Sequence, residues 1–218
     1  MANKAVVAGA SGLIGSNLLS ILLQEPDYDE VLILVRNELP IQHKKLIQLK
    51  VDFAHLNDYQ AYINGNVIFC CLGSTRKKTP DLNVYRRIDH DYPLQLAQMA
   101  KESGIPQYHL VSSIGANVSS SNYYTKMKGE VEADIEKISL PGLHIYRPAF
   151  LTGDRKENRP AERILVPLMA FLNPLLIGKL KKYRTIAAET VAWAMYKQSL
   201  KNKEGIFIYP SDKIKELS

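Results

Sequence analysis

Apolar residues along the chain fall into short unbroken runs that alternate with stretches of helical spacing. Residues 5–8 (Ala-Val-Val-Ala), 31–35 (Val-Leu-Ile-Leu-Val) and 66–71 (Asn-Val-Ile-Phe-Cys-Cys) are of strand length, and their continuity is that of strands covered on both faces. Residues 46–51, 109–113, 143–146 and 206–209 read as further strands. Between them, Leu13, Ile14, Leu18, Leu19, Leu22 and Leu23 recur at helical spacing, and this helix fades at the turn signal Glu25-Pro26-Asp27. Spacing predicts a short helix over 58–63 and a long one over 85–104, with Ile88, Tyr92, Leu96 and Met99 on its apolar face and Gly104-Ile105-Pro106 as its stop. Further helices are predicted over 123–138 and 190–200. Strands alternating with helices predict an α/β fold with a doubly wound parallel sheet.

The pattern changes after Arg147-Pro148. Residues 164–177 form an apolar run broken by Pro167 and Pro174, too short and too interrupted to span a bilayer, followed by Lys179, Lys181, Lys182 and Arg184. We read 151–190 as a small lobe of a single domain, 1–218, covering the crevice at the carboxyl end of the sheet. That segment is expected to form a mobile cover over the nicotinamide end, with a fixed packing lobe or a dimer contact as the alternatives.

The 218 residues suffice for one sizeable core. A net charge of +6 with pI ≈ 9.1 favours anionic partners, and a phosphorylated cofactor or substrate answers to it. The basic residues are spread widely without a nucleic-acid motif, so nucleic acid is not an expected partner. Contact with an acidic membrane surface through 164–177 and the basic cluster after it stays open, as does a homo-oligomer. Cys70 and Cys71 are adjacent, unsuited to a disulfide framework or a metal site, and the five histidines show no paired spacing, so no metal is expected. The chain enters its first strand directly after Met1-Ala2-Asn3-Lys4, with no signal peptide; a cytoplasmic protein is the expectation.

Chemistry concentrates at two places. Gly9, Gly12 and Gly15 lie between the first strand and the first helix. Such spacing permits a tight turn, close backbone approach to a pyrophosphate and close packing of helix on sheet, with the helix N-terminus offered to the anion. An ordinary βα turn would contain glycines less regularly placed. Arg36 closes the second strand, with no carboxylate before Glu38. An acidic residue there would hold a ribose 2′-hydroxyl, whereas Arg suits a 2′-phosphate, so NADP is favoured over a plain surface role. Asp52 ends the third strand and either meets adenine or caps the next turn. Leu72-Gly73 ends the fourth, where glycine lets the backbone run close to a ligand. The basic loop Arg76-Lys77-Lys78 suits a solvated surface or the entrance of an anionic substrate.

At the second place, Ser112-Ser113 closes the fifth strand, and Tyr124 and Lys128 follow four apart on one helix face. A lysine cation beside a phenol favours its phenolate form, and a hydroxyl at the strand end can orient a substrate carbonyl. Tyr123 has Met127 four residues on, so Tyr124 is the candidate acid/base. The bare pair also occurs on ordinary helix surfaces; its position after a Ser-Ser strand end favours function.

Together Gly9-x-x-Gly12-x-x-Gly15, Cys70-Cys-Leu-Gly73-Ser-Thr-Arg76, Val111-Ser-Ser-x-Gly-Ala116, Tyr124-x-x-x-Lys128-Gly-Glu-Val-Glu132 and Tyr146-Arg-Pro148 resemble the short-chain dehydrogenase/reductase superfamily, and within it the atypical branch containing the Tat-interacting protein oxidoreductases. The resemblance implies an NADP-binding Rossmann domain. It implies Gly9, Ser11, Gly12, Leu13, Ile14 and Gly15 at the pyrophosphate, Arg36 at the 2′-phosphate, Asp52 at adenine, and Leu72 and Gly73 near the nicotinamide ribose. Ser113 (or Ser112) would position substrate, Tyr124 would be the acid/base, and Lys128 would hold the ribose and tune Tyr124. Arg147-Pro148 would meet the nicotinamide side. The expected activity is NADP-dependent hydride transfer to or from a small carbonyl or alcohol. The alternative is an NADPH-binding regulator with little turnover. The substrate itself is not named by these residues. The lobe is small beside that of sugar-nucleotide epimerases, so an epimerase is not implied.

Overall fold

A computed structural model describes residues 3–153 and 178–218. Seven parallel strands form its main sheet. They are β1 (Lys4–Ala8), β2 (Glu30–Val35), β3 (Leu46–Lys50), β4 (Val67–Cys70), β5 (Gln107–Val111), β6 (Gly142–Arg147) and, last in the chain, β9 (Gly205–Pro210). Their spatial order is β3-β2-β1-β4-β5-β6-β9, with every pairing parallel. The two halves of the sheet run outward in opposite senses from the β1–β4 seam. A crevice must open there at the strands' carboxyl ends, because the connections leave to opposite sides.

Successive residues of the inner strands face opposite layers. On β1, Ala5 and Val7 join one core with Leu18 and Leu22 of α1 (Leu13–Gln24). Val6 and Ala8 join the other, with Leu96 and Met99 from the long helical stretch and Val131 and Ile135 from the helix after β5. Burial on both faces is why these strands read as continuous apolar runs. Each fully buried Leu contributes on the order of 1.5–3 kcal/mol.

The stretch between β4 and β5 differs from a plain helix. It runs as α2 (Leu82–Arg86), a π-helical turn (Arg87–Asp91) and α3 (Tyr92–Glu102). Pro93 explains the insertion, since its ring has no N–H and crowds the carbonyl four residues back, that of Asp89. His90, inside this turn, sets Nδ1 2.8 Å from Asp91 Oδ1 and Nε2 3.1 Å from Asp134 Oδ2. Asp134 belongs to α4 (Tyr123–Glu136), so the widened turn is tied to that helix.

Other elements depart from the sequence pattern in smaller ways. The helix expected over 58–63 is a longer 3₁₀ segment, Phe53–Tyr62, with Asp52 at its N-cap. Two short strands, β7 (Leu151–Thr152) and β8 (Ile186–Ala187), pair in parallel. They are followed by α5 (Ala188–Ser199), which packs on α1, and α6 (Ser211–Leu217) ends the chain. Most of the expected covering lobe, residues 154–177 including the 164–177 run, lies outside the described residues. No helix among the described residues is long and apolar enough to cross a membrane.

Four rings cross the sheet at one level: Phe69, His109, His144 and Phe207, from β4, β5, β6 and β9 in register. The two imidazoles stack at 4.3 Å, 10° from parallel, each placing Nδ1 on a tyrosine hydroxyl, Tyr146 for His109 (3.1 Å) and Tyr209 for His144 (3.0 Å). Burial pushes His109 well below the usual imidazole range, reinforced by His144, and holds His144 down to about 4. Both are therefore neutral when folded, while the unfolded chain takes up two protons below pH ~6.5. Their stabilising effect is complete above that pH and is lost as pH falls through 6.5 towards 4. The expected result is a loss of about 2–4 kcal/mol in unfolding free energy between pH 7.5 and 5, read from urea midpoints. A His144→Phe chain should show a shallower slope; an unchanged slope would assign the acid sensitivity elsewhere.

Candidate active site

β1 ends at Ala8, and Gly9 turns the chain with φ +88°, where a Cβ would sit 2.6 Å from the backbone C and O of Cys71. Only glycine permits that approach of β1 to the end of β4. One turn into α1, a Cβ on Gly15 would lie 2.1 Å from the Gly9 carbonyl oxygen, so the helix rests directly on the turn. Gly12 caps α1 without a side-chain acceptor, and its own N–H donates to the Gly9 carbonyl at 2.9 Å. The first turn of α1 carries no acidic residue, and its N–H groups are open to an anion.

A cleft of about 550 Å³ opens in front of this turn. Ala10 to Ile14 form one wall, and Cys71 to Thr75, leaving β4, form another. Leu39, Pro40 and Ile41 close the side towards the end of β2. Val111, Ser112, Tyr124, Lys128 and Asp89 close the opposite side, with Leu151 nearby. The two places singled out in the sequence thus share one cavity, of a size usual for small-molecule sites.

Asn122 starts α4 by accepting from the N–H groups of Tyr124 (3.0 Å) and Thr125 (3.2 Å). Tyr124 is half-buried, and its ring lies 8° from parallel to that of Tyr85, with centroids 6.5 Å apart. Tyr123 instead points outward and donates to the Leu82 carbonyl at 3.3 Å.

One turn after Tyr124, Lys128 is 3% exposed and sets Nζ 3.0 Å from Oδ1 of Asp89, itself 1% exposed. Burial alone would lower the Lys128 pKa, but the Asp89 carboxylate, aided by Tyr124, more than offsets it and holds the ammonium above its usual range. The other oxygen of Asp89 accepts from the Ser74 N–H at 2.7 Å. Asp89 therefore links the loop after β4 to the lysine, and the π-turn is what presents it. Its residue type and spacing did not single it out; Pro93, placed where a long helix should continue, was the available signal.

Of the two serines, Ser112 lines the cleft, and its hydroxyl donates to Glu132 of α4. Arg147 grips the same buried carboxylate through Nε, 3.1 Å from each oxygen, and through Nη2. Ser113 donates to the Ile114 carbonyl at 3.3 Å and is not among the lining residues. Arg36 lies exposed just beyond β2, and Asp52 lies exposed beyond β3; neither lines the cavity. Asp52 accepts from the Ala54 N–H at 2.9 Å and faces His55 Nδ1 at 2.9 Å, contacts that hold its carboxyl below the usual range, the Ala54 bond first. The capping role expected as one alternative is thus present. Cys71 lines the cavity, but burial pushes its thiol far up and leaves it a poor nucleophile.

Residues 9–164 match the family described as NAD(P)H-binding. Protein HTATIP2 of Rattus norvegicus is 39% identical over 167 residues, covering 74% of this chain and 69% of that one. Protein FMP52, mitochondrial, of Saccharomyces cerevisiae is 36% identical over 157 residues, covering 71% and 68%. Among solved structures, MoeE5 in complex with UDP-glucose and NAD superposes with a TM-score of 0.70 at 15% identity, over 95% of this chain and 75% of that one. The Bordetella bronchiseptica enzyme WbmH in complex with NAD+ gives 0.69 at 16%, over 98% and 78%. At such identities these two establish likeness of fold alone.

Proposed function

The chain belongs to the NAD(P)H-binding, atypical short-chain dehydrogenase/reductases and is similar to HTATIP2, and we propose that it is an NADP-dependent oxidoreductase acting on a small carbonyl or alcohol. The observation that carries this reading is the single cleft shared by the glycine turn and the Tyr124/Lys128 pair. A pyrophosphate fits the turn, where side chains on Gly9 or Gly15 would collide with backbone and α1 opens with uncapped N–H groups. Ser11, Gly12, Leu13 and Ile14 would hold it, with Leu72 and Gly73 beside the nicotinamide ribose. When bound, the nicotinamide supplies or accepts hydride.

The remaining chemistry falls to side chains of this chain. Tyr124 would give its hydroxyl proton to the substrate oxygen during reduction and take it back during oxidation. Lys128, one helical turn after Tyr124, would bind ribose. Ser113 or Ser112 would meet substrate; the position of Ser112 on the cleft wall supports Ser112, although its hydroxyl donates to Glu132. The cytoplasm is our reading of its location; the Saccharomyces cerevisiae relative is named as mitochondrial.

Arg36 supports NADP over NAD. One charged contact to a 2′-phosphate contributes about 1.5–3 kcal/mol, so calorimetry should give NADPH at least tenfold tighter binding than NADH. An Arg36→Ala chain should lose most of that preference; equal affinities in the parent would remove NADP from the assignment. Hydride transfer is tested by NADPH absorbance against a panel of aldehydes and ketones. A chain that binds NADPH and reduces none of them is the regulator, not the enzyme.

A further inference from the structure

We propose that Gln48 is a positioning residue for the dinucleotide, its carboxamide fixing the 39–41 turn as the wall on which the adenine half packs. The inference rests on the NADP(H) reading above. Gln48 lies on β3, the edge strand beyond β2, in register with Ile33. Its Oε1 accepts from the Leu39 N–H at 2.8 Å, and its Nε2 donates to the carbonyls of Leu39 (3.0 Å) and Ile41 (3.1 Å). One side chain thereby takes the place of a neighbouring strand for a loop that has none. A further bond from the Ile41 N–H to the Leu39 carbonyl, at 2.7 Å, tightens the turn around Pro40.

What the turn presents is unusual for an exposed loop. Leu39, Pro40 and Ile41 are consecutive apolar residues, Pro40 and Ile41 are exposed, and all three line the cleft. They follow β2, the strand whose end faces the adenosine ribose in dinucleotide folds. An aromatic base is the part of a dinucleotide that such a surface would cover. Without the clamp, the turn would have to be ordered at the moment of binding, and affinity would fall by that cost.

Fragments separate this role from general support of the fold. Calorimetry on the parent, Gln48→Leu and Gln48→Glu would use NADPH and adenosine 2′,5′-bisphosphate, with nicotinamide mononucleotide followed by ligand-observed NMR. The glutamate keeps the acceptor for Leu39 and loses both donors. Both variants should weaken NADPH and the adenosine bisphosphate by the same factor, about tenfold. The mononucleotide should stay within about twofold, and in steady state the loss should fall on the KM for NADPH. Unchanged affinity for the adenosine bisphosphate, or equal weakening of the mononucleotide, overturns the clamp. A parent that binds neither NADPH nor the adenosine fragment overturns the cofactor reading and the clamp with it. A parent that binds both but transfers no hydride overturns only the oxidoreductase assignment.

Discussion

Tyr124→Phe is expected to reduce turnover by about 10²–10⁴-fold while changing the NADPH Kd by no more than about threefold. The substitution removes one oxygen. The ring should stay where it is, because it lies parallel to Tyr85 at 6.5 Å and its backbone N–H is held by the Asn122 cap. The lost group is the one proposed as proton donor, with little lost binding surface. Lys128 remains buried against Asp89 in this variant, so the surrounding charge stays paired. Single-turnover oxidation of bound NADPH would isolate the chemical step from product release. A phenylalanine chain that reduces substrate at the parental rate would show that the proton comes from another group.

Asp89→Ala is expected to cost about 3–5 kcal/mol of stability, because it strands the Lys128 ammonium in the interior. For a chain of this length that is a fall of roughly 10 °C in Tm. The loss comes from the unpaired charge more than from the missing contact, so a second variant distinguishes the two. Asp89→Ala combined with Lys128→Met leaves no buried charge at the site and should regain most of the stability. It should not regain full turnover, because Lys128 is gone from the cleft. A double variant as unstable as the single one would place the cost in the π-turn, through the lost acceptor for the Ser74 N–H. Differential scanning calorimetry on the three chains decides between them.

The inner strands were legible because burial on both faces leaves no polar interruption, as in Val31 to Val35. Gly9, Gly12 and Gly15 were legible through their register between a strand and a helix. Tyr124 and Lys128 were legible because four residues is one helical turn. Asp89 was not, since its role depends on a π-turn that shifts helical phase, and a periodicity reading assumes that phase is constant. Gln48 was not, since a side chain bonding to backbone nine residues away leaves no trace in residue type. Which of Ser112 and Ser113 lines the cleft was not legible, since both lie just past β5 and Ser112 is held by Glu132, a partner 20 residues on. The short helix α6, seven residues long, carries too few turns for its spacing to stand out.

The central place of β1 also bears on how the chain is made. β2 and β3 can add to one side of β1 as soon as they leave the ribosome. The other side takes β4, whose first residue, Val67, is separated from Ala8 by a stretch that takes about 3–12 s to synthesise. Through that interval the nascent chain carries a bare strand edge, apolar from Ala5 to Ala8, the kind that recruits foreign strands. A chaperone that shields the first 50 residues should raise the yield of native protein more than one acting after release.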